Sequence, residues 1–273
     1  MAFKKLVRYE SATGEPQYGD LIESKDGSFS IRKLDGDIRN GFSPTDDVVQ
    51  AMKLLSPISE TPAIICIGVN YRTHAKEASI KIPPYPVVFM KPPGALAGPG
   101  DITVDPAAQK MLDYEGELVF ILSRDAKNLG DDFELSDYIL GYTAGNDLSA
   151  RHYQLPDNSG GQFCYAKSFD WFAPIGPWVV NSSEVPNPQA LSLKTLVNGE
   201  VRQQTQLDDM IWSVKDILKH LSQGTTVRAG TVVMTGTPSG VGVFQEKLLK
   251  DGDEVVVEVE GVGELSNVLI FQQ

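Results

Sequence analysis

The chain has 273 residues, 41% of them apolar and 22% charged, which is enough for one large domain or for a large and a small one. The formal charge of −12 disfavours nucleic acid and an anionic membrane surface as partners, but leaves a small anionic substrate open, because a local site can be positive on a negative protein. No run approaches 18 apolar residues and the opening MAFKKLVRY has no long apolar stretch, so a cytoplasmic protein is expected.

Residues 1 to about 43 alternate strand-like runs (LVRYE, LIES, FSIRKL) with turn signals (GD, KDGS, DGD), which predicts a small β-rich N-terminal piece. Residues 46–55 (DDVVQAMKLL) carry apolar side chains at helical spacing behind Ser43, Pro44 and Thr45, and predict a helix. SPISETP at 56–62 reads as a linker, dividing a small N-terminal domain over 1–60 from a larger one over 63–273. In the larger region the strand signals are AIICIGV, with Cys66, then PVVFMKP, LDYEGELVFIL, YILGYTAGND, PIGPWVV, LSLKTLVNGE, GTVVMTGTP and the long run from DEVVVEVE to the C-terminus. Helices are predicted over 71–78 and over 208–222, the second with apolar residues at 210, 211, 214, 217, 218 and 221. No βαβ alternation is present, so the expected fold is a β-rich α+β arrangement, largely antiparallel or mixed, with few helices. Cys66 and Cys164 lie far apart among apolar and aromatic neighbours and read as free thiols.

Four segments carry chemistry. LDYEGELVFIL (112–122), read as one strand, places Asp113, Glu115 and Glu117 on one face, with like charges about 6–7 Å apart. Such a face is wet, or protonated, or has a cation between its carboxylates. Asp147, after YILGYTAGN, is either a helix N-cap or a fourth acid for the same purpose. Carboxylates without a Cys or His cluster suit Mg2+ or Mn2+ better than zinc. In CIGVNYRTHAKE, His74 and Glu77 share one helix face, as a surface pair or as an oriented general base, and Gly68 and Asn70 mark a turn whose amides could face a cleft. Lys167, among Tyr165, Phe169, Trp171 and Phe172, either reaches solvent or is a buried cation that answers carboxylates. The turn in VVMTGTPSGVG is a plain tight turn or a cradle for an anionic group, and is not a P-loop.

The order of these segments, CIGVNYxxHAxE, MKP with a GPGD turn, DYEGEL, GYTxxNDxSAR, AKSFD and TGTPxGVG, resembles the fumarylacetoacetate hydrolase family over residues 63–273. The resemblance implies a β-rich roll of mixed sheets, a homodimer and a variable small N-terminal domain. It implies that Glu115, Glu117 and Asp147 hold Mg2+ or Mn2+, with Asp113 left nearby as a supporting or solvent-facing group. It further implies that His74 and Glu77 form the base dyad, often on a mobile lid, that Lys167 polarises the substrate, and that Arg151, Gln154 and Thr237 line the substrate pocket. His152 and Phe163 stand where the family often has Asp and Trp, and LPDNSGGQF between them is a loop of this chain's own.

The reaction implied is hydrolysis of a C–C bond in a small β-diketo acid of the acylpyruvate type. The cation would stabilise a developing enolate, and the His-Glu dyad would activate water. Decarboxylation of an oxaloacetate-like acid and keto-enol tautomerisation or hydration are alternatives on the same site. A non-catalytic metabolite-binding protein is the rival from another class.

Overall fold

The computed structural model describes residues 2–273. In chain order the strands and helices are β1 (Lys5–Glu10), β2 (Pro16–Lys25), β3 (Ser28–Asp37), β4 (Gly41–Ala51), β5 (Ile64–Gly68), α1 (Arg72–Glu77), β6 (Val87–Lys91), β7 (Leu96–Ala97), β8 (Gly100–Val104) and β9 (Leu112–Asp113). They continue as β10 (Gly116–Leu122), β11 (Ile139–Asn146), β12 (Ser149–Ala150), α2 (Pro156–Ser159), β13 (Ala173–Asn181), β14 (Ser192–Val197), β15 (Glu200–Gln206), α3 (Val214–Leu221), β16 (Val232–Met234), α4 (Gly242–Gln245), β17 (Glu254–Val259) and β18 (Gly263–Phe271). Strands dominate and helices are short, as the absence of a βαβ alternation predicts.

An eleven-stranded mixed sheet runs β4-β3-β2-β1-β13-β11-β10-β16-β5-β6, with β7 beside β13, and a five-stranded sheet runs β15-β14-β17-β18-β8. The four N-terminal strands join the long sheet through the antiparallel pair β1–β13. Alternation along β10 explains how the layers stack. Leu118, Phe120 and Leu122 enter one core with Leu193, Val257 and Leu265 of the smaller sheet and with Val214, Ile217 and Leu218 of α3. Val119 and Ile121 point the other way, into a second core with Ile64, Cys66, Ile175, Val232 and Met234. A strand buried on both faces has to read as a continuous apolar run, and LVFIL does. Both cysteines are free thiols, Cys66 buried and Cys164 partly so. No helix among the described residues is long and apolar enough to cross a membrane.

Three expectations about elements are corrected. Residues 46–55 are not helical: 46–51 continue β4, with Val48 opposite Arg32 and Ala51 opposite Phe29, and beyond the strand Leu54 bridges to Tyr9. Pairing with β3 overrides the helical spacing, and adjacent β-branched Val48 and Val49 favour the strand. Pro44 is tolerated because β4 is the sheet's edge. The helix expected over 208–222 begins only at Val214, after a capping box in which the Ser213 side chain accepts from Asp216 N and Asp216 accepts from Ser213 N. Met210, extended before it, bridges to Tyr71 instead. Finally, 112–122 is two strands: β9 pairs with β12, and β10 pairs with β11.

Candidate active site

The break in the acidic segment builds the site. β10 and β11 are antiparallel with Gly116 opposite Asn146, so the start of one strand lies beside the end of the other. Glu115 N donates to Asn146 Oδ1 at 3.0 Å, and Asp147 N donates to Glu115 O at 2.8 Å. These two bonds set the Asp147 backbone next to that of Glu115. Glu115, Glu117 and Asp147 are all buried, and each offers a carboxylate oxygen within 4.8 Å of the others. Asp113 leaves this face. It is fully buried and takes N–H bonds from Gly242 (2.7 Å) and Val243 (3.0 Å) as well as Arg151 Nε (2.8 Å). The solvent-facing alternative for Asp113 is therefore wrong: with four donors around it, counting Tyr114 N at 2.9 Å, a buried carboxylate is satisfied.

Three cations meet these acids. Lys167 is 2% exposed, and its Nζ lies 2.8 Å from Glu115 Oε2 and 2.7 Å from Asp147 Oδ2. It is a buried cation, not one that reaches solvent. Arg151 Nη1 lies 2.6 Å from Glu115 Oε1 and donates to Gln154 Oε1 at 2.9 Å, which places Gln154 behind the arginine. The third cation, Lys91, was not singled out from the sequence. Its Nζ lies 2.5 Å from Asp147 Oδ1 and donates to Leu148 O at 3.1 Å and Phe172 O at 2.5 Å. The signal was present in PVVFMKP: strand alternation puts Lys91 on the inward face with Phe89, while Val88 and Met90 stay exposed. An ammonium has three protons. Lys91 spends two on the carbonyls of Leu148 and Phe172 and is ion-paired with Asp147, whereas Lys167 spends two on the carboxylates of Glu115 and Asp147.

The electrostatics sort the carboxylates. Burial raises the Glu115 carboxyl, but Lys167 and Arg151 outweigh it and hold the group well below the usual carboxylate range. Burial, and then the charges of Asp147 and Glu115, push Glu117 well above that range, with only the Gly236 N–H and Lys167 pulling it down. Burial opposes the Lys167 ammonium, yet Asp147 and Glu115 raise its pKa above the ordinary value. Among the described residues Glu117 has no salt-bridge partner; its Oε2 takes the Gly236 N–H at 2.6 Å. Four buried carboxylates thus face three cations, and the uncompensated one lies within the oxygen cluster. Oxygen-only donors, buried and one charge short of balance, fit a hard divalent ion of the Mg2+ or Mn2+ type.

His74 and Glu77, expected as a base dyad, are joined to the turn that also holds Glu117. His74 Nδ1 is 3.1 Å from Glu77 Oε2, and Glu77 Oε1 accepts Gly240 N–H at 2.9 Å, so the pair on α1 is tied to the turn after β16. Asn70 is buried, and its side chain bonds Trp212 (N at 2.8 Å, O at 3.1 Å) and Thr235 O (2.7 Å), which splices α1's entry to β16. Thr237 is buried in the turn: its hydroxyl donates to Gly116 O at 3.0 Å and accepts from Gln203 Nε2 at 2.8 Å. Gln203 is a second residue not singled out from the sequence. His152 and Phe163 stand at the margin, the first through its carbonyl to Asn158 Nδ2 at 2.9 Å and the second edge-on to Phe89 at 6.5 Å.

Residues 63–270 match the family model described as fumarylacetoacetate (FAA) hydrolase, C-terminal. The oxaloacetate tautomerase YisK of Bacillus subtilis is 39% identical over 222 residues, which cover 79% of this chain and 72% of that one. The human mitochondrial oxaloacetate tautomerase FAHD2A is 35% identical over 218 residues, covering 79% and 69%. The crystal structure of a 2-hydroxyhepta-2,4-diene-1,7-dioate isomerase from Mycobacterium marinum matches with a TM-score of 0.83 at 33% identity, over 98% of this chain and 99% of that one.

Proposed function

The chain belongs to the fumarylacetoacetate hydrolase family, and on that premise we propose that it is a Mg2+- or Mn2+-dependent enzyme that interconverts the keto and enol forms of a small β-keto acid of the oxaloacetate class. The observation that carries this reading is the buried cluster of Glu115, Glu117 and Asp147. Two relatives named oxaloacetate tautomerase support the choice of substrate class.

Glu115, Glu117 and Asp147 would hold the ion, which when bound supplies Lewis-acid polarisation of the substrate's carbonyl groups. The protein's own groups do the rest. The three cations and a divalent ion would offset the buried carboxylates, so the cluster would not repel an anionic keto acid from an otherwise acidic protein. Glu77 accepts the Nδ1 proton of His74, which fixes the tautomer and leaves Nε2 as the base that takes a proton from the carbon between the carbonyls and returns it to oxygen. Lys167, with one proton free of the carboxylates, supports the oxyanion.

Hydrolysis of an acylpyruvate-like C–C bond is the second reading. It is favoured by the same dyad, which would take its proton from water, and oxaloacetate decarboxylation would use the same ion site. The test follows the enol absorbance of oxaloacetate, pyruvate release from acylpyruvates and CO2 release, each with Mg2+ or Mn2+. The expected result is accelerated enol-keto exchange that is lost with EDTA and reduced at least about a hundredfold in His74→Ala. Acylpyruvate cleavage without tautomerase activity would select the second reading, and no ion-dependent activity on any of these acids would overturn both.

A further inference from the structure

We infer that Gln203 is a positioning residue of this site, and that the Thr237 hydroxyl is its clamp partner. The inference rests on the reading that Glu115 and Glu117 hold the ion, and it concerns what fixes the two residues in place.

Gly116 lies between those two acids, and its N–H and C=O both point away from β11. On that side β16 pairs with β10 only from Val119 onward. Thr235 still reaches Leu118 O, at 3.1 Å from its N and 2.9 Å from its Oγ1, before the chain turns off. The peptide groups of Gly116 therefore lack a strand partner. Gln203, on β15 of the other sheet and 1% exposed, supplies one. Its Oε1 accepts Gly116 N–H at 3.0 Å, and its Nε2 donates to Thr237 Oγ1 at 2.8 Å and Pro238 O at 3.0 Å. A primary amide has the acceptor and donor of a peptide unit, and here it completes the ladder where the strand ends. The approach of β14 from below needs glycine at 116, because a Cβ there would stand 2.0 Å from Thr195 Oγ1.

The ring closes through Thr237. A hydroxyl has one proton, and this one goes to Gly116 O at 3.0 Å. Its proton and one lone pair are thereby used within the protein, on Gly116 and Gln203. The same turn donates Gly236 N–H to Glu117 Oε2 at 2.6 Å. Gln203 and Thr237 thus lock the backbone between the two acids to the turn that holds Glu117, from a position behind the site. Partners of this kind act on an ion through the ligands they orient, and losing one typically costs about 10- to 100-fold in affinity.

The test is Mn2+ titration, read by calorimetry or by the electron paramagnetic resonance signal of the free ion, on wild type, Gln203→Met, Thr237→Val, the double variant and Thr237→Ser. Wild-type binding tests the ion reading itself. The clamp predicts that both single variants bind Mn2+ about tenfold or more weakly, that the double variant is little worse than either, and that Thr237→Ser recovers most of the affinity. Thr237→Val is nearly isosteric, so it serves even if Gln203→Met folds poorly. A second readout needs no ion: Gly116 N–H should lose hydrogen-exchange protection in Gln203→Met while Val119 N–H keeps it. If Thr237→Val raises only KM and leaves Mn2+ affinity within about twofold of wild type, the hydroxyl serves the substrate and the inference is overturned. Unchanged Gly116 protection in Gln203→Met would overturn it as well, whatever the ion does.

Discussion

Lys91 and Lys167 share a carboxylate but not a task, and the difference is what each donates to: two backbone carbonyls for Lys91, two carboxylates for Lys167. Lys91 is ion-paired with Asp147 and donates to Leu148 O and Phe172 O, so it braces Asp147 and the two backbone segments beside it. Removing it leaves an acceptor carbonyl pair and one carboxylate oxygen buried without that cation. Lys91→Met should therefore lower unfolding free energy by about 3 kcal/mol, measured by urea denaturation, and should weaken Mn2+ binding in the fraction that folds. Asp113 and Arg151 show the same logic. The sequence suggested acids in a row, but only tertiary contact reveals that one of them neutralises an arginine and ties down the start of α4. Gln203 was illegible for a related reason: a glutamine in a strand carries no signal until the glycine and threonine it bonds are known.

Among the elements, the central strands were legible because burial on both faces forces an unbroken apolar run, as in LVFIL and AIICIG. The helix expected at 46–55 failed because apolar spacing over one short segment is weaker than a full hairpin with β3. The single strand expected at 112–122 failed at Tyr114 and Glu115, whose N–H groups go to the side chains of Asp113 and Asn146. In α3 the start was encoded: Ser213 and Asp216 are three residues apart, and the structure closes both capping bonds. Ser213→Ala should destabilise the protein by about 1 kcal/mol, read from the urea midpoint, with Mn2+ affinity unaltered. A large change in ion binding would mean that α3 is coupled to the site more tightly than its packing against the inner core indicates.

At the scale of the whole molecule, the acids, lysines and arginine at 91, 113, 115, 117, 147, 151 and 167 converge because β10 and β11 run antiparallel and their loop-side ends meet β6, β9 and β12. An ion that binds only the folded chain stabilises it by mass action. At a free Mn2+ concentration about 100 times its dissociation constant, the gain should be about 2.7 kcal/mol. It should appear as a rise in melting temperature that EDTA reverses and that Glu115→Gln abolishes. No shift in wild type at millimolar Mn2+ would count against the cluster as an ion site.

The sequence by itself determined the β-rich class, the two acids flanking a glycine, the dyad spacing on α1 and the order of segments that marks the family, because each is a local pattern of alternation, spacing or residue type. Tertiary structure alone decided that Asp113 serves Arg151, that Lys91 is part of the charge balance, that 46–51 belong to a strand and that Gln203 stands in for a missing peptide. Those outcomes depend on partners distant in the chain, and a hydrogen bond or an ion pair exists only once folding has brought both of its ends together.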